Sequence, residues 1–529
     1  MSLARNTLVQ SGLTLGSRIL GFARDLLLTA RLGQGPVSDA FVTALMFPNL
    51  FRRLFAEGAF AQAFVPAYAR IEAEQGREAA ARVASEAMSF LIAAAGAFCI
   101  LAMVAMPWLM IGLLSEYRAR PDIMALAVLL TQITMPYLIC MTIASLLSGV
   151  LNTAGRFALT AAAPTLLNIA TLIAFFFWPR PEEAARAAAI AVTVAGVAQA
   201  GVLWWAVGRQ KVSVRLGLPR LTADVRRILA LAIPGVIAGG ATQINSLTSQ
   251  VLTGADEGAR TVLYNADRLY QLPLGLVGVA IGLALVPRLA KAFALNDETG
   301  AQKSMDDGIG LSMALTIPAA AALGVMPAFI MEAVFVRGAF TADDARRVAD
   351  VLVHFAWGVP AFVLAKVFTP PFFARQDTKT PMTFALWTVA ANTVLGVALF
   401  FGLRTQGVDG VIGLAIATSA AAWLNIVLLT GRLASMGAYR IGRPVWSRLA
   451  RITAATAIMA AAMAAAQHWR ADLYELFWRK ELAILIACLG GAALYGLAAL
   501  ATRAVTISEI RSTLKRERGA PAMPDGGEL

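Results

Sequence analysis

Five arginines, Arg18, Arg24, Arg52, Arg53 and Arg268, and one lysine, Lys366, lie inside stretches that are otherwise apolar enough to cross a membrane. A cation at the centre of a lipid-facing helix costs at least about 2.5 to 3.5 kcal/mol, so such groups face a polar cavity or an ion pair. Several together suit an anionic cargo, because Arg grips phosphate oxygens through paired hydrogen bonds. The acids in the same stretches are fewer: Asp25, Asp39, Glu57 and Asp267. On an ideal helix Arg18, Gly21 and Asp25 share a face and Arg24 points about 120° away, so the first stretch carries charge over a wide arc. In the second, Asn49, Arg52, Arg53 and Glu57 follow Pro48, which frees a carbonyl and permits a bend. Arg53 and Glu57 are spaced to pair, leaving Arg52 the better placed to take a ligand. Asn265, Asp267 and Arg268 precede Pro273 in a similar way. A structural role stays open here, since Arg24 with Asp25, Arg53 with Glu57 and Arg268 with Asp267 could equally be pairs that hold helices together.

The elements that must position these charges are transmembrane helices. Of 529 residues, 58% are hydrophobic and 15% charged, and the mean hydropathy is +0.68. That composition belongs to an all-α polytopic membrane protein. Apolar stretches run roughly over 10–30, 38–66, 87–114, 123–151, 158–178, 186–207, 228–253, 264–287, 309–334, 348–374, 382–402, 408–430, 449–467 and 481–502, which predicts about fourteen helices. The net charge of +13 sits mostly in loops. With the N-terminus inside, about 26 of the 45 Lys and Arg fall on cytoplasmic segments, about 13 opposite and about six within spans, so both termini are expected in the cytoplasm. No recognition module accompanies the charge, and nucleic-acid binding is excluded as the reading of it. Cys99, Cys140 and Cys488 lie in apolar stretches without metal-ligand spacing and read as small core residues. The first stretch has no small-residue cleavage site after it and is expected to be its own insertion signal.

Catalysis finds no footing. His354 and His468 are the only histidines and lie far apart, there is no phosphate-cradling Gly-rich loop followed by Lys, and no carboxylates cluster as in a metal-dependent transferase. No cofactor and no metal site are expected.

The chain repeats itself. At a shift of about 224 residues Pro136 falls on Pro360, Asn168 on Asn392 and Asn152 on Gln376; at nearby shifts Pro48 falls on Pro273 and Met106-Pro107 on Met326-Pro327. Each copy holds six stretches, an even number, so the two copies run parallel, with a substrate site expected between them. The division expected is 1–208 for the first lobe, 209–227 for a linker, 228–433 for the second lobe, 434–503 for two extra helices and 504–529 for a basic, disordered tail. In the linker, Thr222 followed by apolar and basic positions predicts an amphipathic helix on the cytoplasmic surface.

Ser17 to Arg70, SRILGFARDLLLTARLGQGPVSDAFVTALMFPNLFRRLFAEGAFAQAFVPAYAR, resembles the signature of the MurJ (MviN) lipid II flippases of bacteria. YNADRLYQLPLGLVGVAIGLALVPRLA and FFARQDTKTP resemble the corresponding pieces of the second lobe, and the resemblance extends over the two extra helices. It implies the fold of the multidrug/oligosaccharidyl-lipid/polysaccharide exporters, with two MATE-like lobes around a cavity. It also implies the cargo, undecaprenyl pyrophosphate bearing the peptidoglycan disaccharide-pentapeptide, moved across the inner membrane for cell-wall biogenesis. The family's cavity arginines fall on Arg18, Arg24, Arg52 and Arg268, its second-helix acid on Asp39 and a cavity acid on Asp25. Asn49, Arg53, Glu57 and Lys366 are left as supporting or gating residues. The last two helices border a groove suited to the polyprenyl tail.

Partners implied are this lipid and the surrounding membrane lipids, with a monomer expected. Outward movement of an anionic headgroup gains about 2.3 kcal/mol per charge per 100 mV. A coupling cation stays open; the seventh stretch offers only neutral groups such as Asn245 and Ser249, which makes a poor sodium site. The alternatives are an exporter of another polyprenyl-linked glycan, and a MATE-like drug antiporter, whose cationic drugs would want an acidic cavity instead. A non-transporting scaffold would need no intramembrane arginines.

Overall fold

The computed structural model describes residues 3–55, 59–210, 212–284, 289, 292, 295, 297–375 and 377–505. The tail beyond Val505, and Glu57 in the second stretch, lie outside them. In chain order the described helices are α1 (Leu3–Leu32), α2 (Pro36–Phe55), α3 (Ala59–Gln75), α4 (Arg77–Leu113), α5 (Pro121–Thr134), α6 (Tyr137–Thr153), α7 (Phe157–Phe177), α8 (Pro181–Arg209), α9 (Ala223–Thr253) and α10 (Ala259–Ala284). There follow α11 (Glu298–Val325), α12 (Pro327–Phe335), α13 (Ala342–Ala356), α14 (Val359–Phe368), α15 (Pro370–Ala374), α16 (Lys379–Thr405), α17 (Gly410–Ser435), α18 (Arg443–His468), α19 (Arg470–Phe477) and α20 (Lys480–Ala501). A short 3-10 turn, Ser115–Ala119, joins α4 to α5.

The starts of these helices follow from local chemistry. Pro121, Pro181 and Pro327 each open a helix where the missing N–H costs nothing. Thr341 and Asp344 close a capping box on α13, each side chain accepting from the other's backbone N–H. Thr222 caps α9 as expected, accepting from Val225 N at 3.5 Å. The helix it starts is α9 itself, however, and residues 212–222 form no helix at all. The expected surface helix is therefore corrected to an irregular strap. Gly217 and Pro219 disfavour a helix there, and α4 offers the strap other partners: Ser85 Oγ accepts from Arg215 N and Ser89 Oγ from Gly217 N, both at 3.0 Å.

Ten helical segments among the described residues are long and apolar enough to cross a membrane. They match ten of the fourteen expected stretches; α1, α2, α9 and α10, at the other four, are not in that set. Broad lipid-type surfaces accompany the spans, with Trp108, Phe177, Val394 and Leu497 each at least two-thirds exposed. Of the cysteines, Cys99 is buried, but Cys488 is exposed, so the core reading fails for it.

Two compact units divide the chain, the first Met1–Thr261 with Arg337–Phe340, the second Val262–Val336 with Thr341–Leu529. In the first, α1 packs along α7, α7 along α8, α2 along α5, and α9 along α3. Its core is alanine-rich where α8 enters, through Ala184, Ala185, Ala188 and Ala189, small side chains that let helices approach closely without a hydrophobic drive from lipid. In the second, α16 packs on α17, α11 on α18, and α18 on α20. The contact division falls at Thr261, beyond the linker at which the repeat was divided.

Candidate functional site

Within the first unit the intramembrane charges sort into two arrangements. One is midway along α1. Arg24, with 14% of its side chain exposed, points Nη2 at Asp25 Oδ1 at 2.7 Å and Nε at the same oxygen at 3.1 Å. Its Nη1 donates to Asn168 Oδ1 of α7 at 3.1 Å, and Asn168 Nδ2 donates back to the Ser17 carbonyl at 2.9 Å. Gly21 faces this amide, and a Cβ there would sit in ordinary van der Waals contact with it at 3.5 Å. The guanidinium is thus oriented from two sides and still reaches the surface of the helix pair. Arg18, earlier on the same helix, is exposed.

The second arrangement is where α1 ends and α2 begins. Asp39, 1% exposed, accepts four hydrogen bonds: Tyr117 OH at 2.9 Å, Gly258 N at 2.8 Å, Thr261 N at 3.0 Å and Thr261 Oγ1 at 2.7 Å. Beside it Arg260 is completely buried. Its Nη1 donates to Thr43 Oγ1, and Nη2 to the Leu113 carbonyl at 2.5 Å and to the Gln250 carbonyl. Thr43 in turn donates to the Asp39 carbonyl at 2.6 Å. Gly254 has to be glycine, since a Cβ would overlap the Leu113 carbonyl oxygen. Its own carbonyl accepts from Glu116 N at 3.0 Å and Ser115 Oγ at 3.1 Å. Burial, with the Asp39 carboxylate next to it, pushes the Tyr117 phenol up, so it stays a donor.

The remaining expected residues are placed as follows. Asp25 is the partner of Arg24 just described. Asn49 is partly exposed. Arg52 and Arg53 belong to the helical backbone of α2, which continues through Pro48, but their side chains, like all of Glu57, lie outside the described residues. In the second unit the Arg268 guanidinium carbon lies 4.8 Å from the centre of the Tyr264 ring, a cation–π contact. Asp267, its sequence neighbour, accepts from Gln271 Nε2. Lys366, on α14, is exposed. Among the described residues no three His, Cys, Asp or Glu side chains gather.

Three participants were not expected. Asn168 had a signal, its match to Asn392 in the repeat, but nothing tied it to Arg24. Tyr117 and Arg260 had none: Tyr117 lies in a connection and Arg260 in the first turn of α10, and each meets the Asp39 site across 78 residues or more of chain.

The geometry can do two things. The Arg24 arrangement presents an oriented guanidinium that still reaches the surface, which suits reversible binding of a phosphate. The Asp39 arrangement buries both charges among hydrogen-bond partners, leaving only Arg260 Nε without one, and suits closure.

The family model described as "Lipid II flippase MurJ" matches residues 28–482. A probable lipid II flippase MurJ of Rhizobium tropici is 38% identical over 535 residues, covering 99% of this chain and 98% of that protein. The lipid II flippase MurJ of Burkholderia cenocepacia is 33% identical, covering 92% and 95%. Among solved structures, a lipid II flippase MurJ in an inward closed conformation superposes with a TM-score of 0.76 at 24% identity, covering 96% of this chain and all of that one. An inward-facing multidrug MATE transporter gives 0.61 at 12% identity over 81% of this chain and 98% of that one, a likeness of fold alone. With a family model spanning most of its length and relatives aligned from end to end, the chain belongs to the lipid II flippase MurJ family, whose members are transporters rather than enzymes.

Proposed function

We propose that the protein moves lipid II from the cytoplasmic to the periplasmic leaflet of the inner membrane, by alternating access, with its intramembrane arginines serving the pyrophosphate. The observation that carries the reading is Arg24, a guanidinium held by Asp25 and Asn168 on a membrane helix of a chain belonging to this family. In the empty carrier the Asp25 carboxylate stands where a phosphate oxygen would bind. When cargo arrives, the pyrophosphate takes over the Nε–Nη2 edge of Arg24, an exchange of one charge-assisted pair for another. Arg18, Arg52 and Arg268 add to the cationic surface. The sugars and peptide stay with the pyrophosphate while the polyprenyl chain remains in lipid, where α18 and α20 supply the extra apolar surface.

Closure belongs to the Asp39 arrangement. Freeing the connection 254–261 from Asp39 breaks several bonds together, so this end opens as a unit rather than by fraying.

The orientation is part of the same proposal. The connections after α1, after α4 and after α9, together with residues 337–340, meet in one place: Ala339 N donates to the Ala30 carbonyl at 2.8 Å, and Glu116 N to Gly254. Loops that meet lie on one side of the membrane. With the charge asymmetry, that side is the periplasm and both termini are cytoplasmic.

The test is depletion of the protein in its host with lipid-linked intermediates sorted by leaflet. Lipid II is expected to accumulate in the inner leaflet. Accumulation of a different polyprenyl-linked glycan, with peptidoglycan precursors normal, would overturn the assignment.

A further inference from the structure

The strap between α8 and α9 carries apolar side chains at a spacing of two: Val212, Val214, Leu216, Leu218. The first pair is covered by the first unit, with Val212 8% and Val214 7% exposed, packed with residues of α4 and α8. The second pair is not, for Leu216 is 58% and Leu218 77% exposed, and Leu221 beyond them is 47% exposed. Neither loose chain nor chance explains this. The backbone is fixed by the Ser85 and Ser89 hydroxyls, and the far end by Thr222 Oγ1 donating to Glu86 Oε2 at 2.8 Å. A tethered segment that holds three leucines outward has a partner for them.

Charge and position identify that partner. Arg215, Arg220, Arg226 and Arg227 are all exposed around the leucines, and Asp224 is the only acid between residues 209 and 227. The strap joins the ends of two apolar helices, so it lies at the level where membrane meets water. One turn before α8 ends, Trp205 is 55% exposed, with the Arg209 guanidinium 4.4 Å from its ring centre, the pairing typical of a bilayer interface. Leucines with interleaved arginines at this depth match the boundary between acyl chains and anionic headgroups.

We propose that residues 212–221 form a lipid-bound strap, with Leu216, Leu218 and Leu221 dipping into the acyl boundary of the leaflet beside them and Arg215, Arg220, Arg226 and Arg227 holding the phosphates of anionic phospholipids. The strap attaches the start of α9 to the bilayer surface and makes the position of that helix end sensitive to anionic lipid. It holds whatever the cargo is.

Full-length protein in nanodiscs of phosphatidylcholine alone, and of phosphatidylcholine with phosphatidylglycerol in equal parts, provides the test. Amide hydrogen exchange over 213–221 is expected to slow at least about tenfold when phosphatidylglycerol is present. An environment-sensitive fluorophore on Leu218→Cys, with Cys99, Cys140 and Cys488 replaced by alanine, is expected to shift to the blue in the same nanodiscs. The variant with Arg215, Arg220, Arg226 and Arg227 all changed to Gln is expected to lose the lipid dependence while exchange in α8 stays unchanged, which separates loss of lipid contact from misfolding. Equal exchange in both nanodiscs and no spectral shift would overturn the proposal. So would protection that appears only on adding a soluble cytoplasmic protein, which would make the strap a protein dock.

Discussion

Arg24 and Arg260 are both guanidiniums sunk in the same apolar unit beside an aspartate, and they differ in how completely they are buried. Arg260 is sealed, with three acceptors on its terminal nitrogens and Asp39 next to it carrying four donors. Arg24 keeps 14% exposure, with Nε and Nη2 on one Asp25 oxygen and Nη1 on the Asn168 amide oxygen. A charge buried with its partner holds segments together, because removing either member strands the other. One that reaches the surface can exchange a partner for a ligand. The comparison assigns closure to one site and cargo to the other.

Changes at the sealed site are expected to have the largest effect on stability. Asp39→Ala leaves Arg260 buried without its counter-charge and strands the Tyr117, Gly258 and Thr261 donors, at a cost of about 3 to 5 kcal/mol. Thermal unfolding in detergent is expected to show it as a large drop in Tm. A variant as stable as the wild type would break the comparison at its firmer end. Adding Arg260→Met to Asp39→Leu is expected to recover much of the loss, since apolar replacement of a buried pair is often close to neutral. Tyr117→Phe removes one of the four donors and is expected to cost about 1 to 3 kcal/mol.

At the open site the effects on stability are smaller and those on transport larger. Arg24→Ala leaves the 3%-exposed Asp25 without this partner and is expected to cost about 1 to 3 kcal/mol, yet to give a folded protein that fails in supporting growth when the resident flippase is depleted. Asn168→Ala removes one hydrogen bond from Arg24 and is expected to leave a stable carrier with partly reduced transport, seen as slower growth in the same assay. Should Asn168→Ala destabilise the protein as much as Asp39→Ala, the two sites would be alike and the assignment of roles would fail.

The stretches that span the membrane, and the arginines inside them, were legible in sequence because lipid imposes a pattern of composition on any segment it surrounds. The α1 site was half legible: Arg24 and Asp25 stood out, and Asn168 was marked by the repeat, but no local rule says that α7 packs on α1 at Gly21. The Asp39 site was legible only as a lone acid. Its partners Tyr117, in a connection, and Arg260, in the first turn of α10, are far from it in sequence, and only the folded chain decides what meets. The linker taught a similar lesson, for Thr222 was read correctly as a cap, but the helix it starts is α9 itself rather than a separate surface helix, and an irregular strap precedes it. Its backbone is satisfied by serines on α4, a tertiary choice invisible to propensity.

The central claim is that Arg24 holds cargo while Arg260 holds structure. Its most direct test is equilibrium binding of lipid II to the purified wild type, to Arg24→Ala and to Tyr117→Phe, each shown to be folded. Binding is expected to weaken at least about tenfold, the worth of one charge-assisted contact, in Arg24→Ala and to stay near the wild-type value in Tyr117→Phe. Undiminished binding by folded Arg24→Ala would contradict it.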